Sequence, residues 1–270
     1  MLVGEGRAVD VGDLVGDFDQ RFFASGGIDR LRGALAGDAG TEFALDGQRV
    51  GAPIAKPYLV IGIGLNYADH ARETGAAIPS EPVVFNKAPS SVIGPNDDVL
   101  LPPGSTHTDW EVELAVVIGS KARYLADEQA ALGCIAGYTI ANDVSERHYQ
   151  KDRGGQWVKG KSAETFNPLG PWLVTPDEAG DVANLRLRLD VNGTTMQDST
   201  TAEMIFGVGH LVWYLSQFMV LEPGDLINTG TPSGVGAGMQ PPVFLAEGDV
   251  VELSVEGLGN QRQQVRRAEA

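Results

Sequence analysis

The fold of this chain is decided by one stretch, Thr108-Asp109-Trp110-Glu111-Val112-Glu113-Leu114-Ala115-Val116-Val117-Ile118-Gly119. Its second half, residues 114–118, is short, apolar, rich in β-branched residues and closed by a glycine, which predicts a buried strand. In its first half, apolar residues alternate with Glu111 and Glu113, so both carboxylates lie on one face of the strand. Their backbone positions are roughly 7 Å apart, from the rise per residue of a strand.

Two neighbouring carboxylates that are partly buried repel each other and lose hydration, so their charge needs compensation. A divalent cation compensates it most directly, and oxygen ligands suit magnesium, manganese or calcium. The alternative for Glu111 and Glu113 is an edge strand with one solvated face. Asp143 favours the metal, because it ends another apolar strand thirty residues after Glu113, across one helix-sized connection. The two strands can then be sheet neighbours with three converging carboxylates, although Asp143 alone also suits a turn or cap.

The composition excludes several classes of partner. The chain has 270 residues, 43% of them hydrophobic, which is enough for one large domain with a small appendage. The net charge of −16 argues against nucleic acid and against an anionic membrane surface. The single cysteine, Cys134, has apolar neighbours and is expected to be a buried structural residue. We find no signal peptide pattern and no apolar run of membrane-spanning length, so we expect a cytoplasmic protein.

The pattern of apolar residues predicts a β-rich α+β fold. Residues 1–55 are weakly patterned and predict a small N-terminal domain, with Ile28, Leu31 and Leu35 on one face of a short helix. Residues 56–270 contain many short strands joined by turns or loops, which does not suit a doubly wound sheet. The longest helical pattern covers Ala202 to Phe218.

Further polar residues near these strands are candidates for catalysis. His70 and Glu73 are three residues apart, so they lie on one face of a helical turn. A carboxylate fixes the tautomer of an imidazole and raises its basicity, which suits a general base for water, although a plain surface pair is an equal alternative. Lys87, Arg147, Gln150 and Lys161 can each bind a substrate carboxylate or an oxyanion, and each also suits a solvated surface position. The loop 229–234 offers hydroxyls and amides, or is simply a Gly/Pro loop.

Two nucleotide-binding patterns are rejected. Residues 155–162 match the phosphate-binding loop G-x-x-x-x-G-K-[ST], but charged residues precede them and Asn167-Pro168 and Gly170-Pro171 follow too soon for a long helix. Gly62 and Gly64 begin a dinucleotide fingerprint that lacks its third glycine.

Several segments together resemble the fumarylacetoacetate hydrolase family. They occur in the order of that family and cover roughly residues 57–265; they are residues 64–70, 110–119, 142–145, 159–162, 170–171 and 224–236. The resemblance implies a catalytic domain of rolled mixed β-sheets, usually a homodimer. It further implies Mg²⁺ or Mn²⁺ on Glu111, Glu113 and Asp143, with Ca²⁺ able to replace them in crystals. Within the family, residues 150–157 and 170–175 look most like bacterial hydrolases of diketo sugar acids.

The resemblance also implies the roles of individual residues. His70 with Glu73 is implied as the pair that activates water, and Lys161 with Gln150 as contacts to the oxyanion and the substrate. The residues expected to bind substrate are Asn66, Tyr67, Lys87, Arg147, Gln150, Gly230 and Thr231. The expected partner is a small anionic 2-oxo acid, with no nucleic acid and no membrane.

The expected reaction is metal-dependent hydrolysis of a C–C bond in a 2,4-dioxo acid, either an acylpyruvate or a 2,4-diketo-3-deoxy sugar acid, through an enolate bound to the metal. The alternatives are an oxaloacetate decarboxylase, a hydroxy-dienedioate isomerase or a ureidoglycolate lyase on the same scaffold, which share that enolate. A non-catalytic, metal-stabilised binding protein is a further alternative.

Overall fold

The computed structural model describes residues 2–4, 6–37 and 39–269. In chain order the strands are β1 (Leu2–Gly4), β2 (Arg7–Asp10), β3 (Thr41–Ala44), β4 (Val60–Gly64), β5 (Val83–Lys87), β6 (Val92–Ile93), β7 (Val99–Leu101), β8 (Thr108–Asp109), β9 (Val112–Ile118), β10 (Ile135–Asn142), β11 (Ser145–Glu146), β12 (Asn167–Val174), β13 (Arg186–Val191), β14 (Thr194–Thr200), β15 (Leu226–Asn228), β16 (Val250–Val255) and β17 (Gly259–Arg267). The α-helices are α1 (Gln20–Ala24), α2 (Gly27–Leu35), α3 (Ala68–Thr74), α4 (Glu128–Leu132), α5 (Arg147–Lys151), α6 (Val158–Lys161), α7 (Pro176–Ala179) and α8 (Val208–Ser216). These elements confirm the predicted strand-rich α+β class.

Two large mixed sheets carry most of these strands. The larger has seven strands in the order β5-β4-β15-β9-β10-β12-β6, and the smaller has five in the order β14-β13-β16-β17-β7. Most neighbours are antiparallel, but β15 with β4, β12 with β6 and β17 with β7 are parallel. Parallel neighbours require long crossover connections, so each sheet joins segments that are far apart in sequence.

The main hydrophobic core involves both large sheets and α8. On β9 it takes Val112, Leu114, Val116 and Ile118, all of which are buried. These residues alternate with Glu111 and Glu113, so the other face of β9 carries the carboxylates. Further along that second face, Ala115 and Val117 belong to a smaller apolar cluster.

The register between β9 and β10 sets the position of the acidic residues. The strands are antiparallel neighbours, with Glu113 opposite Ala141, and the backbone N–H of Asp143 donates to the carbonyl of Glu111 at 2.9 Å. This pairing confirms that the two acidic strand ends are sheet neighbours.

The N-terminal residues form a three-stranded sheet, β1-β2-β3, and two short helices. Phe22 and Phe23 of α1 belong to the smaller apolar cluster, together with Val60, Val117 and Leu226 of the large sheet. The expected short helix is confirmed as α2. The division of the chain at residue 55 stays a prediction.

The helix predicted over residues 202–218 is shorter in the structure. It begins at Val208 and ends at Ser216. The prediction was wrong for the preceding residues, because the N–H of Ile205 donates to the carbonyl of Asn66 at 2.8 Å and the N–H of Phe206 donates to Asn66 Oδ1 at 2.9 Å. These bonds hold residues 205–206 beside the turn after β4, where the first helical turn cannot form.

Among the described residues, no helix has the length and apolar character that crossing a membrane requires.

Candidate active site

Three buried carboxylates meet where β9 begins and β10 ends. Glu111 and Glu113 lie on the same face of the β9 segment, and Asp143 directly follows β10. One oxygen from each of the three lies within 4.8 Å of the other two. The convergence predicted from the sequence is therefore present, and the three can bind one divalent metal ion.

Buried cations surround two of these carboxylates. Lys161 Nζ donates to Glu111 Oε2 at 2.6 Å and to Asp143 Oδ2 at 2.7 Å. Arg147 Nη1 lies 2.7 Å from Glu111 Oε1, and Lys87 Nζ donates to Asp143 Oδ1. Burial alone would raise the pKa of Glu111, but Lys161 and Arg147 outweigh it and lower that pKa to about 2. Burial likewise opposes the charge of Lys161, but Asp143 and Glu111 raise its pKa above the ordinary value. Both groups are therefore ionised at neutral pH.

Glu113 is the carboxylate of the three that no lysine or arginine of the described residues bonds directly. Its described hydrogen-bond donor is the backbone N–H of Gly230, 2.8 Å from Oε2. Burial, Asp143 and Glu111 together raise the pKa of Glu113 well above its usual range. The negative charge of Glu113 is thus the one in this cluster that the fold compensates least. A set of three carboxylates offers only oxygen ligands, which fits Mg²⁺, Mn²⁺ or Ca²⁺.

Gly230 can approach Glu113 because it has no side chain. It has a φ of +100°, and a Cβ atom there would lie 2.8 Å from Asn66 Cβ. Any other residue would therefore move this amide away from the carboxylate.

His70 and Glu73 form the expected pair on α3. His70 Nδ1 lies 3.1 Å from Glu73 Oε2, and the N–H of Gly234 donates to Glu73 Oε1 at 2.9 Å. Because an ionised carboxylate only accepts, Nδ1 carries the proton of this bond. In the neutral ring Nε2 then has a free lone pair and is the basic nitrogen.

A cavity of about 260 Å³ brings these groups together. Its lining includes seven of the residues selected from the sequence: His70, Glu111, Glu113, Arg147, Gln150, Lys161 and Thr231. The rest of its wall is mainly apolar and includes Ile63, Leu65, Phe85, Trp157 and Val235. A concave, mostly apolar cavity with a few converging polar groups is typical of a small-molecule site.

Three polar residues of the lining, Arg147, Gln150 and Thr231, differ in the hydrogen bonds that they can offer a substrate. Arg147 donates from Nε to Asp109 at 2.8 Å and from Nη1 to Gln150 Oε1 at 3.1 Å, in addition to its bond with Glu111. Its charge is therefore compensated within the protein. Gln150 uses its amide oxygen for Arg147, which leaves its N–H₂ group as a donor toward substrate oxygens. Thr231 donates its hydroxyl to the carbonyl of Val112 at 2.9 Å.

Four residues expected to bind substrate lie outside the cavity lining, and their contact with substrate stays a prediction. Asn66 is buried, and its Nδ2 donates to the carbonyls of Thr229 at 2.8 Å and Phe206 at 3.1 Å. Lys87 is buried beneath Asp143 and also donates to the carbonyl of Phe166 at 2.8 Å. Tyr67 is fully buried. The fourth, Gly230, donates its backbone N–H to Glu113. The sequence did not separate these four from the lining residues, because a residue near a motif and one that faces the cavity look alike in sequence.

Sequence reasoning missed Asp109, which positions the wall of the cavity. Its buried carboxylate accepts from Arg147 and from the backbone N–H groups of Gly236 at 2.7 Å and Ala237 at 3.0 Å. The sequence did indicate a structured position for Asp109, because it directly precedes Trp110 in the stretch that decides the fold. Its hydrogen-bond partners are more than thirty residues away, so they could not be inferred from the sequence.

The first of the two rejected nucleotide patterns, residues 155–162, follows α5 instead of a strand and enters the short helix α6 (Val158–Lys161). This arrangement differs from the strand-to-helix turn whose backbone N–H groups bind a phosphate.

Known proteins of similar sequence and structure identify the family of this chain. The model of the fumarylacetoacetate (FAA) hydrolase C-terminal family matches residues 59–266. The 2,4-didehydro-3-deoxy-L-rhamnonate hydrolase of Sphingomonas sp. is 52% identical over 88% of this chain and 84% of its own length. A fumarylacetoacetate hydrolase structure from Exiguobacterium antarcticum is 37% identical, with a TM-score of 0.83 over 98% of this chain and 94% of that one. A structure of 5-carboxymethyl-2-hydroxymuconate delta-isomerase from Mycobacterium smegmatis is 41% identical, with a TM-score of 0.75 over 86% and 87%. The chain belongs to the fumarylacetoacetate hydrolase family.

Proposed function

We propose that this protein is a Mg²⁺- or Mn²⁺-dependent hydrolase that cleaves the C3–C4 bond of a 2,4-dioxo acid. The observation that carries the proposal is one cavity lined by Glu111, Glu113, the ammonium group of Lys161 and the imidazole of His70, with Asp143 completing the carboxylate cluster beside it. The relative named as a hydrolase of 2,4-didehydro-3-deoxy-L-rhamnonate supports a 2,4-diketo-3-deoxy sugar acid as the substrate class.

The residues Glu111, Glu113 and Asp143 would hold the metal ion. When bound, the ion supplies positive charge that polarises the oxygens of the 2-oxo acid and favours enolate formation. The remaining chemistry belongs to side chains of the chain itself.

His70 is the general base in this proposal. Its Nε2 accepts a proton from water, while Glu73 accepts from Nδ1–H and stabilises the resulting imidazolium. The oxygen of the water attacks the C4 carbonyl, whose oxygen becomes an oxyanion. Lys161 is placed to stabilise this oxyanion, because two of its three N–H groups bind carboxylates and the third is available.

The C3–C4 bond then breaks. The C4 fragment leaves as a carboxylic acid, and the electron pair of the bond passes to the 2-oxo acid fragment as an enolate. The proton held by His70 is available to C3, which yields pyruvate or its analogue. Atoms balance as one 2,4-dioxo acid plus water giving two acids.

A product assay tests the proposal. The wild-type protein with Mn²⁺ should convert an acylpyruvate or a 2,4-diketo-3-deoxy sugar acid into two acids in equal amounts. Glu113→Ala should lose this turnover, while Glu252→Ala, the same change at an exposed position of β16, should retain it. Full turnover by Glu113→Ala, or by wild type in excess EDTA, would refute the metal-dependent mechanism.

An isomerase is the second candidate, because a structural relative of 41% identity carries that name. Decarboxylase and lyase activities use the same kind of enolate chemistry. The same assay separates them, since decarboxylation releases carbon dioxide and isomerisation gives one product of unchanged mass. The expectations of a homodimer and of a small anionic 2-oxo acid as partner stay predictions.

A further inference from the structure

The two glycines of the rejected dinucleotide pattern make room for aromatic rings. A Cβ atom on Gly62 would lie 2.2 Å from Cζ of Phe85, and a Cβ atom on Gly64 would lie 2.5 Å from Cζ3 of Trp157. Both distances are far below van der Waals contact, so no side chain fits at either position while the rings stay where they are. Gly62 and Phe85 are direct cross-strand partners on β4 and β5. An aromatic side chain covering a cross-strand glycine is a known way to fill a sheet surface.

The ring of Phe85 lies against Gly62 and also against the ammonium group of Lys161. Lys161 Nζ lies 4.9 Å from the centroid of the Phe85 ring. The ring is also in contact with Trp157, at 5.4 Å between centroids and an interplanar angle of 53°. The face of an aromatic ring is electron-rich and attracts a cation within about 6 Å, more strongly where water is excluded. Lys161 is only 2% exposed, so this attraction is not diluted by solvent.

The contact limits where the ammonium group can go. Glu111 and Asp143 bind Nζ through two hydrogen bonds, and these alone allow the lysine chain to take several paths to the same carboxylates. Phe85 lines the same cavity and supplies a third contact that removes this freedom. The N–H group left for the substrate then has one direction. A rigid, correctly directed donor is what stabilisation of an oxyanion requires.

We propose that Phe85, given its place by Gly62, is a positioning residue that directs the Lys161 ammonium toward the reacting carbonyl through a cation–π contact. The role in the reaction rests on the function proposed above. The contact itself is independent of that function and is measurable without turnover.

The test is graded fluorination of the ring at position 85. The residues introduced are phenylalanine, 4-fluoro-, 3,5-difluoro- and 3,4,5-trifluorophenylalanine, which keep the shape of the ring but progressively remove the negative charge of its face. The urea midpoint of unfolding should fall stepwise with each fluorine. In a Lys161→Met background, which lacks the cation, the steps should disappear. The same series at Phe166 should show no graded fall, because Phe166 is buried with neither a cation nor another aromatic ring against it in the described part of the chain.

Kinetics of the same proteins test the positioning role. At saturating substrate, kcat should fall stepwise by a total of roughly 3- to 30-fold, the range expected for losing one cation–π contact. KM should stay within about twofold of the wild type, since uniform substrate binding is not affected. Gly62→Ala, whose Cβ displaces the ring, should show a loss of similar size.

The outcomes separate the two proposals. A urea midpoint that is flat across the fluorinated series, or that falls equally in the Lys161→Met background, overturns the contact even if the enzyme is active. Graded unfolding with graded kcat supports the contact and its role. Graded unfolding with a constant kcat overturns the positioning role. Graded unfolding in a protein that converts no 2,4-dioxo acid supports the contact and overturns the proposed function together with the role that rests on it.

Discussion

Replacing Glu111 with glutamine in the metal-free protein should lower the free energy of unfolding, whereas the same change at Glu113 should not. The pKa of Glu111 falls from 4.5 to about 2 on folding, because Lys161 and Arg147 outweigh the effect of burial. A shift of this size corresponds to about 3 kcal/mol of stability at neutral pH. Glu111→Gln removes that contribution and leaves two buried cations with fewer partners. The pKa of Glu113 is shifted upward, so its negative charge disfavours the folded state and Glu113→Gln should keep or increase stability.

Urea unfolding followed by tryptophan fluorescence measures both effects, and EDTA keeps the protein free of metal. At pH 7 we expect a loss of about 3 kcal/mol for Glu111→Gln and none for Glu113→Gln. Because the folded-state pKa of Glu111 is depressed, its stabilising contribution is complete above about pH 5 and is lost as the pH falls toward 2. The difference in the free energy of unfolding between wild type and Glu111→Gln should therefore fall, by about pH 3, to less than half of its value at pH 7. Equal destabilisation by both substitutions, or a difference that does not change with pH, would refute the assigned charge distribution.

Three further predictions follow from the site. His70→Ala should lower hydrolysis by about 10²- to 10⁴-fold while enol–keto exchange of the same substrate continues, because only hydrolysis needs an activated water; equal loss of both activities would contradict the base assignment. Titrating Mn²⁺ into the EDTA-treated wild type should raise the urea midpoint, and Glu113→Ala should not respond, since a ligand that binds only the folded state stabilises it. Asn66→Ala should lower the free energy of unfolding of the metal-free protein by about 2–3 kcal/mol in urea, because it loses its buried bonds to backbone groups; an unchanged urea midpoint would contradict this role.

The strand pattern made the carboxylate cluster predictable. Alternation along residues 110–114 determines which side chains share a face, and this period is a local property of extended backbone. The spacing of His70 and Glu73 is local in the same way, since three residues along a helix always bring two side chains together. These pairs are present in the structure because neither depends on distant contacts.

The substrate-binding residues were less predictable. Asn66, Tyr67 and Lys87 stand beside the family motifs, but their side chains lie in the protein interior, and Asn66 and Lys87 bind backbone carbonyls there. Whether a polar side chain faces a cavity or a carbonyl depends on how the strands and loops around it are arranged. That arrangement involves residues more than a hundred positions away, such as Thr229 for Asn66.

By itself, the amino-acid sequence determined the strand-rich class of this protein and the strand face on which its paired glutamates lie. It also supplied three carboxylates, the ligand type that a divalent cation prefers. Each of these follows from residue type and local period. Only the tertiary structure decided how the charge is shared within the cluster, where two cations bond Glu111 and none of the described residues' cations bonds Glu113, and which aromatic ring lies over Lys161. The reason is physical: pKa shifts and cation–π contacts depend on distance and solvent exclusion, which the fold sets among residues far apart along the chain.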